Sequence, residues 1–177
     1  SDPAKRKQIH ELESLQRKRE IVGIGYRGPN PENKVVNPFA AQFAEVSVDI
    51  ETGQIIVERL VMAVDSGIVV NPITASGQIE GGMTQALGYA VCEEMKYNKN
   101  GWARERDLKD YHIFMSHEMP QLDTIFVETF EPSHPFGVKA VAEIPMDGVA
   151  PAVGNAVFNA AGLDIDDIPI TPEKIWK

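Results

Sequence analysis

Cysteine is nearly absent from the sequence, which has Cys92 alone among its 177 residues. A single thiol excludes an internal disulfide bond and any metal site built from several thiolates, such as an iron–sulfur cluster. Proteins without disulfide bonds are typical of reducing compartments. We therefore expect a cytoplasmic protein that carries no iron–sulfur cluster on this chain.

Long hydrophobic runs and basic residues are also scarce. The apolar run at 60–64 is far shorter than the roughly 20 residues that a membrane-spanning helix needs, and residues 1–19 are rich in charge, unlike a signal peptide. Lys and Arg total 17 against 26 Asp and Glu, which gives a formal net charge of −9. Because such a surface repels phosphate polyanions, the sequence predicts no membrane segment and no nucleic-acid partner.

The length and composition predict one globular domain with an N-terminal appendage. Hydrophobic residues make up 43% and charged residues 24%, close to the averages for soluble proteins. We expect residues 1–37 to form a charged helix, over 3–20, and a connecting segment, and residues 38–177 to form the main domain. The apolar stripe of that helix is thin, so three interpretations stay open: a solvated helix, a helix docked on the main domain, or a helix that packs on another partner.

The apolar periodicity predicts an α+β fold in two layers, with a mixed sheet and helices. Alternation over 42–64, interrupted by a turn at 51–54, predicts a β-hairpin. A helical period predicts a long helix over 73–95. The other expected elements are a turn at 98–101, a strand at 124–130, a helix at 150–161 ended by Gly162, and a short helix that begins at Thr171-Pro172.

A glycine-rich stretch at 23–28 matches the letters of the dinucleotide-binding fingerprint. That motif requires the third glycine to open a helix, yet Pro29 and Pro31 follow immediately. Prolines at these positions exclude a regular helix against a pyrophosphate group. A strand end and a turn are predicted instead.

Histidine and cysteine form no pattern typical of a metal site or a nucleophile. His112, His117 and Glu118 lack the i, i+3 or i, i+4 spacing that places ligands on one helix face. Cys92 follows apolar residues of the predicted helix, where a thiol usually behaves as a small buried hydrophobe. We predict no metal-ligating side chain and no cysteine nucleophile.

The predicted long helix contains an unusual number of glycines, each of which costs about 1 kcal/mol relative to alanine. They are Gly77, Gly81, Gly82 and Gly88. Gln78 and Gln85 lie seven residues apart and share a helix face with glycines between them. Two interpretations stay open: amides beside bare backbone suit a flat heteroaromatic ligand, whereas glycines also permit tight packing of a helix on a sheet.

A second unusual segment, residues 135–145, carries Glu143 between Ala142 and Ile144. Burial among apolar neighbours raises the pKa of a carboxyl group toward neutrality and suits it to act as a general base. The alternative is an ordinary loop glutamate that caps the helix beginning near Pro151.

These two segments belong to a series of short motifs that runs from about Phe39 to Trp176. In chain order the motifs are AAQFAEV at 40–46, VDSG at 64–67 followed by Asn71-Pro72, GQIEGG at 77–82, FGVK at 136–139, Glu143, APA at 150–152 with Asn155-Ala156, and IPITPEK at 168–174. The series resembles the C-terminal part of the molybdenum-cofactor subunit of the xanthine dehydrogenase and aldehyde oxidase family.

The resemblance implies a molybdopterin-binding domain over 38–177 and a hydroxylase activity. A carbon of a purine, heteroaromatic ring or aldehyde would be hydroxylated with oxygen from water, and Glu143 would be the general base. Gln78 would bind the pterin cofactor, and Gly77 would let the backbone approach it. Iron–sulfur clusters and FAD are implied on partner domains or subunits, together with the remaining part of the molybdenum subunit and a small-molecule substrate.

The sequence departs from the family pattern around Glu143. The family usually has glycines before the catalytic glutamate and often a proline after it, where this chain has Ala140, Ala142 and Ile144. The family subunit is also several times longer than 177 residues, so we expect this chain alone to be inactive. The alternative function is a catalytically dead assembly or interaction module of the same fold.

Overall fold

The computed structural model describes Gln8, Glu11 and residues 22–26, 28–30 and 34–176. The chain divides into two compact units, Ser1–Glu32 and Asn33–Lys177. Apart from Gln8 and Glu11, the helix predicted over 3–20 lies outside the described residues. The described residues of the 23–28 stretch are exposed and form neither strand nor turn, so the strand end and turn predicted there are wrong for those positions.

The hairpin predicted from alternation is confirmed. Strand β1 (Phe39–Val48) pairs antiparallel with strand β2 (Ile55–Asp65). In the turn, Asp49 Oδ1 accepts a hydrogen bond of 2.9 Å from the backbone N–H of Glu51, and Gly53 has a left-handed φ of 76°. The turn therefore uses the aspartate and glycine chemistry that hairpin loops favour.

Strand β3 (Gln121–Phe126) lies beside β2 and runs parallel to it, which makes the sheet mixed. The sequence predicted this strand at 124–130, so both of its ends are misplaced. The partner strand β2 ends at Asp65, and the last bond of the ladder runs from the Val127 N–H to the Val64 carbonyl at 2.9 Å. Residues 128–130 retain strand-forming side chains, but no strand in the described part of the chain lies beside them.

Helix α1 (Pro72–Val91) begins one residue before the predicted start and ends four residues before the predicted end at Met95. Asn71 is its N-cap, with a side chain that accepts from the Thr74 N–H at 3.2 Å. At the other end, the N–H groups of Cys92 and Glu93 both donate to the Gly88 carbonyl. The Glu93 side chain then folds back over Gly88, which terminates the helix.

Three further helices follow: α2 (Ile144–Asp147), α3 (Val149–Ala161) and α4 (Pro172–Ile175). The single turn α2 was not predicted. Helix α3 ends at Gly162, whose φ of 71° and N–H bond to the Phe158 carbonyl confirm the predicted C-terminal glycine. The predicted short helix after Thr171-Pro172 is also confirmed.

Helices α1 and α3 pack on one face of the sheet and form the second layer. The core residues are Leu60, Met62 and Val64 of β2, Ile79, Met83, Ala86 and Leu87 of α1, Val149, Val153 and Val157 of α3, and Ile170 and Ile175. The two-layer α+β class is confirmed. None of the helices in the described part of the chain is both long and apolar enough for a membrane crossing.

Candidate functional site

The glycines of α1 fall into two groups with different surroundings. A Cβ atom on Gly77 or Gly81 would meet nothing within 4 Å in the described structure, and both residues are exposed. A Cβ on Gly82 would lie 2.7 Å from Cβ of Pro145, and one on Gly88 would clash with Glu93. Packing therefore explains Gly82 and Gly88, whereas it leaves Gly77 and Gly81 unexplained.

Gln78 and Gln85 are exposed on the same helix as these two unexplained glycines. Their amide groups can donate and accept hydrogen bonds beside backbone that no side chain covers. Gly77 also lines a recess of about 470 Å³ with Ser76 and Phe126. The sequence left two interpretations open for this helix, ligand binding and tight packing. The exposed glycines, Gly77 and Gly81, support ligand binding.

The two unusual segments meet at Gly82. A Cβ on this residue would lie 2.7 Å from Pro145 and 3.7 Å from the carbonyl oxygen of Ala142, so the glycine-rich middle of α1 contacts the loop that carries Glu143. Gly82 and Ala142 are 60 positions apart along the chain. The contact makes the glycine-rich helix and the loop that carries Glu143 neighbours in the fold.

Glu143 itself is the residue before α2, and its side chain is exposed. It lines a recess of about 310 Å³ with Phe39, Ala140 and Asp147. The burial that the sequence argument required of this carboxylate is therefore not provided by the described residues. The capping alternative is wrong, because Glu143 forms no side-chain capping bond to α2, and α3 begins at Val149 after Gly148.

Two side chains hold the turn that follows Glu143. Gln42 of β1 donates from Nε2 to the Pro145 carbonyl at 2.7 Å, and Tyr89 of α1 donates from its hydroxyl to the Met146 carbonyl. Burial, and secondarily the charge of Asp147, raises the pKa of Tyr89, so its hydroxyl remains a donor at neutral pH. The backbone beside Glu143 is thus tied to both layers of the domain.

The motifs VDSG and FGVK also lie together. The backbone of Gly67 pairs with that of Val138 in an isolated antiparallel bridge, and the Lys139 N–H donates to the Ser66 carbonyl at 2.7 Å. Lys139 Nζ lies 2.8 Å from Asp65 Oδ2 and 5.6 Å from the centre of the Phe39 ring. These contacts fix the start of the segment that leads to Glu143.

The histidine and cysteine residues lie elsewhere in the domain. His112 Nε2 is 3.2 Å from Glu118 Oε1 in a partly exposed pair. Burial, followed by the charges of Glu93 and Glu118, raises the pKa of Cys92 to about 11, so the thiol is protonated at neutral pH. No group of three or more metal-ligating side chains is arranged to hold an ion among the described residues.

Sequence reasoning missed Gln42 and Tyr89. A signal for Gln42 was present, because it occupies the same strand face as Ala44, Val46 and Val48, which pack against the core. An amide in such a row needs a buried hydrogen-bond partner. The identity of that partner, 103 residues away, cannot be read from the periodicity.

Comparisons with known proteins point to one family. A family model of the molybdopterin cofactor-binding domain matches residues 7–120. The chain is 37% identical over 140 residues to the xanthine dehydrogenase molybdenum-binding subunit of Escherichia coli O157:H7, covering 78% of this chain and 19% of that protein. It is 35% identical over 139 residues to the aldehyde oxidoreductase molybdenum-binding subunit PaoC of Escherichia coli (strain K12), with coverages of 77% and 19%.

Solved structures show the same fold. The aldehyde oxidoreductase from Desulfovibrio gigas superposes with a TM-score of 0.73 and 31% identity, over 78% of this chain and 15% of that one. The chain thus spans about a fifth of the length of the curated relatives it matches. The matched region 7–120 contains the whole of α1, where amides flank uncovered backbone. By sequence and by fold, the chain belongs to the molybdopterin cofactor-binding domain family.

Proposed function

We propose that this chain is the part of a molybdenum hydroxylase that holds molybdopterin on α1 and supplies Glu143 as the general base. The observation that carries the proposal is the contact at Gly82, which packs the middle of α1 against the turn that follows Glu143. Because of this contact, the helix that carries Gln78 and the loop that carries Glu143 are neighbours in the fold. The relatives named above, a xanthine dehydrogenase and an aldehyde oxidoreductase subunit, support an oxidoreductase.

The exposed face of α1 fits a pterin ring. Such a ring has hydrogen-bond donors and acceptors along its edge, which amides can match in both senses. In this proposal Gln78 binds the ring edge, and Gly77 admits it because no Cβ stands in the way. Gln85 and Gly81 extend the same kind of surface by one or two helical turns.

The proposed reaction inserts oxygen from water into a C–H bond of the substrate. Its balance is R–H + H₂O → R–OH + 2 H⁺ + 2 e⁻, and the molybdenum cofactor supplies the centre that accepts the two electrons. Glu143 takes up a proton from the oxygen that attacks the substrate carbon. Iron–sulfur clusters and FAD on partner domains or subunits would carry the electrons away, and the remaining part of the molybdenum subunit would enclose the site.

The substrate in this proposal is a purine, a heteroaromatic ring or an aldehyde. The recess beside Glu143 is lined by apolar residues, among them Phe39, Ala140 and Ile144, and by the polar residues Asn37 and Asp147, a mixture that suits a flat ring with polar groups at its edge. Since purine and aldehyde enzymes are both among the relatives, xanthine, an aldehyde and an N-heteroaromatic ring form the panel of probes.

A second candidate function is an assembly or interaction module that has lost the chemistry. The observation in its favour is that Glu143 and Ala142 are both exposed, so the described residues alone do not enclose a reaction centre. Cofactor content separates the two functions, because the module would be purified with its partner subunits but without molybdenum.

The test is made on the complete molybdenum-binding subunit, purified with its partners and assayed for molybdenum, pterin and turnover. We expect Glu143→Gln to retain molybdenum and pterin and to lose turnover by about 100-fold or more. Glu51→Gln is the matched control, since Glu51 is an exposed carboxylate in the hairpin turn. Turnover of Glu143→Gln near that of the wild type would remove Glu143 from the mechanism.

A further inference from the structure

Gln42 is an amide on the strand face that packs against the core. Its Nε2 donates to the Pro145 carbonyl at 2.7 Å and lies 3.2 Å from the sulfur of Met62. Helix α2, to which Pro145 belongs, is a single turn that begins directly after Glu143. The bond therefore links β1 to the second residue after the proposed base.

Helix α2 is too short to define its own orientation. Four residues make one turn, in which the Met146 N–H donates to the Glu143 carbonyl at 3.0 Å. The carbonyls of Pro145 and Met146 are instead bound from outside by Gln42 and Tyr89. These two donors come from different layers of the domain, so together they fix both the position and the rotation of the turn.

The carbonyl oxygen of the Gln42 side chain indicates why this position is occupied by glutamine. This oxygen, Oε1, is buried and has no hydrogen-bond partner among the described residues. A Cβ on Gly148 would lie 2.2 Å from this oxygen, so the amide fits only because residue 148 is glycine. Burial of an unpartnered carbonyl is unfavourable, and an apolar side chain would avoid it. The donor to Pro145 is therefore the feature that accounts for glutamine here.

We propose that Gln42 is a positioning residue for Glu143: through the Pro145 carbonyl it holds the turn in the orientation that directs the Glu143 carboxylate at the substrate. The inference rests on the proposed function, because it assigns Gln42 to the reaction for which Glu143 is the base. Gln42 does not itself touch substrate or cofactor in this scheme.

Two variants of the complete subunit test this role. Gln42→Met removes the donor and keeps the length of the side chain. We expect it to keep molybdenum content and melting temperature, to lower kcat on the order of 10-fold to 100-fold, and to change KM much less. Hydrogen–deuterium exchange at 143–148 is a second measurement that does not depend on activity, and we expect these amides to exchange faster than in the wild type.

Gln42→Glu is the conservative variant, and it makes the donor dependent on pH. A protonated carboxyl group can donate to the Pro145 carbonyl, whereas the ionised form repels it. The ratio of its kcat to that of the wild type should therefore rise as pH falls. Gln54→Glu is the control: it makes the same change of charge at an exposed residue of the hairpin turn, and its ratio should stay constant with pH.

The outcomes separate the inference from the proposed function. Loss of turnover in Glu143→Gln, combined with wild-type kcat in Gln42→Met, would overturn the positioning role and leave the proposed function intact. A flat pH ratio for Gln42→Glu would also overturn the role, even if Gln42→Met fails to fold. Wild-type turnover in Glu143→Gln would instead overturn the proposed function, and with it the role of Gln42 in the reaction.

Discussion

Lys139 Nζ lies 2.8 Å from Asp65 Oδ2 and joins the end of β2 to a loop 74 positions later in the chain. Both side chains are largely buried, with exposures of 11% and 15%. Asp65 also accepts from the Thr129 hydroxyl at 2.7 Å and from the Gly67 N–H at 3.0 Å. The carboxylate is thus the point at which the end of β2, the segment after β3 and the FGVK motif are fastened together.

This carboxylate should make folding stability depend on acid pH. Burial raises the pKa of Asp65, but the bonds from Lys139, Thr129 and Gly67 together outweigh it and hold the pKa below its ordinary value of 3.8. Because the pKa is lower in the folded state, the stabilisation is complete above the unfolded value. It is lost as pH falls below about 4 through the folded value. Urea unfolding between pH 7 and pH 2 measures this loss.

Asp65→Asn should lower the free energy of unfolding at pH 7 by about 2 kcal/mol, since it leaves the Lys139 ammonium without a countercharge. It should also flatten the dependence below pH 4. Asp123→Asn is the matched control, because Asp123 pairs with Arg59 at 2.6 Å in a partly exposed pair and pairs near the surface contribute little. Equal losses in the free energy of unfolding of the two variants would show that Asp65 stabilises the fold no more than a surface aspartate does.

Gly67 should tolerate no side chain. Its φ is 71°, and a Cβ there would lie 2.3 Å from the carbonyl oxygen of Gly137. Gly67→Ala combines a left-handed backbone with a backbone clash, so we expect a loss of at least about 1–3 kcal/mol in the free energy of unfolding. Gly101→Ala is the control, since Gly101 also has a positive φ but an open surrounding. If Gly67→Ala lowers the free energy of unfolding less than Gly101→Ala does, the VDSG and FGVK motifs separate easily to make room for the side chain.

Local chemistry explains which parts of this fold are predictable from sequence. The hairpin follows from alternation and its glycine turn, and the end of α3 follows from Gly162, because both signals lie within the element itself. The end of α1 depends on Glu93 folding back over Gly88, and the C-terminal end of β3 depends on where β2 stops. Such boundaries are set by neighbours in space, so periodicity misplaced them.

In the candidate site, too, local features are predictable from the sequence, whereas features set by spatial neighbours are not. Helix composition draws attention to the segment that contains Gly77 and Gln78, and apolar neighbours draw attention to Glu143, but the roles of these residues follow only from the family resemblance. The sequence did not reveal that Gly82 packs on Pro145 while Gly77 is open, because identical residues in one helix differ only in what the fold places opposite them. Nor did it reveal that Glu143 is exposed within the described residues.

The 177-residue chain expressed alone should bind no molybdenum. Gln78 and Gly77 lie on an exposed helix face, and nothing in the described structure covers the opposite side of a ligand placed there. Binding of a cofactor normally requires enclosure of most of its surface. Elemental analysis of the purified chain by mass spectrometry checks this, with the complete subunit as the comparison, and stoichiometric molybdenum in the chain would contradict it.

Gly77→Ala should have opposite effects on stability and on cofactor binding. A Cβ at this position meets nothing within 4 Å in the described structure, so alanine should raise the stability of the isolated chain by about 0.5–1 kcal/mol through helix propensity alone. In the complete subunit the same methyl group would stand between the backbone and the pterin, so molybdenum content should fall. Gly82→Ala is the contrast, because its Cβ would lie 2.7 Å from Pro145 and should destabilise the chain itself. If the Gly77→Ala variant is more stable and its molybdenum content equals that of the wild type, the cofactor does not lie against this part of α1.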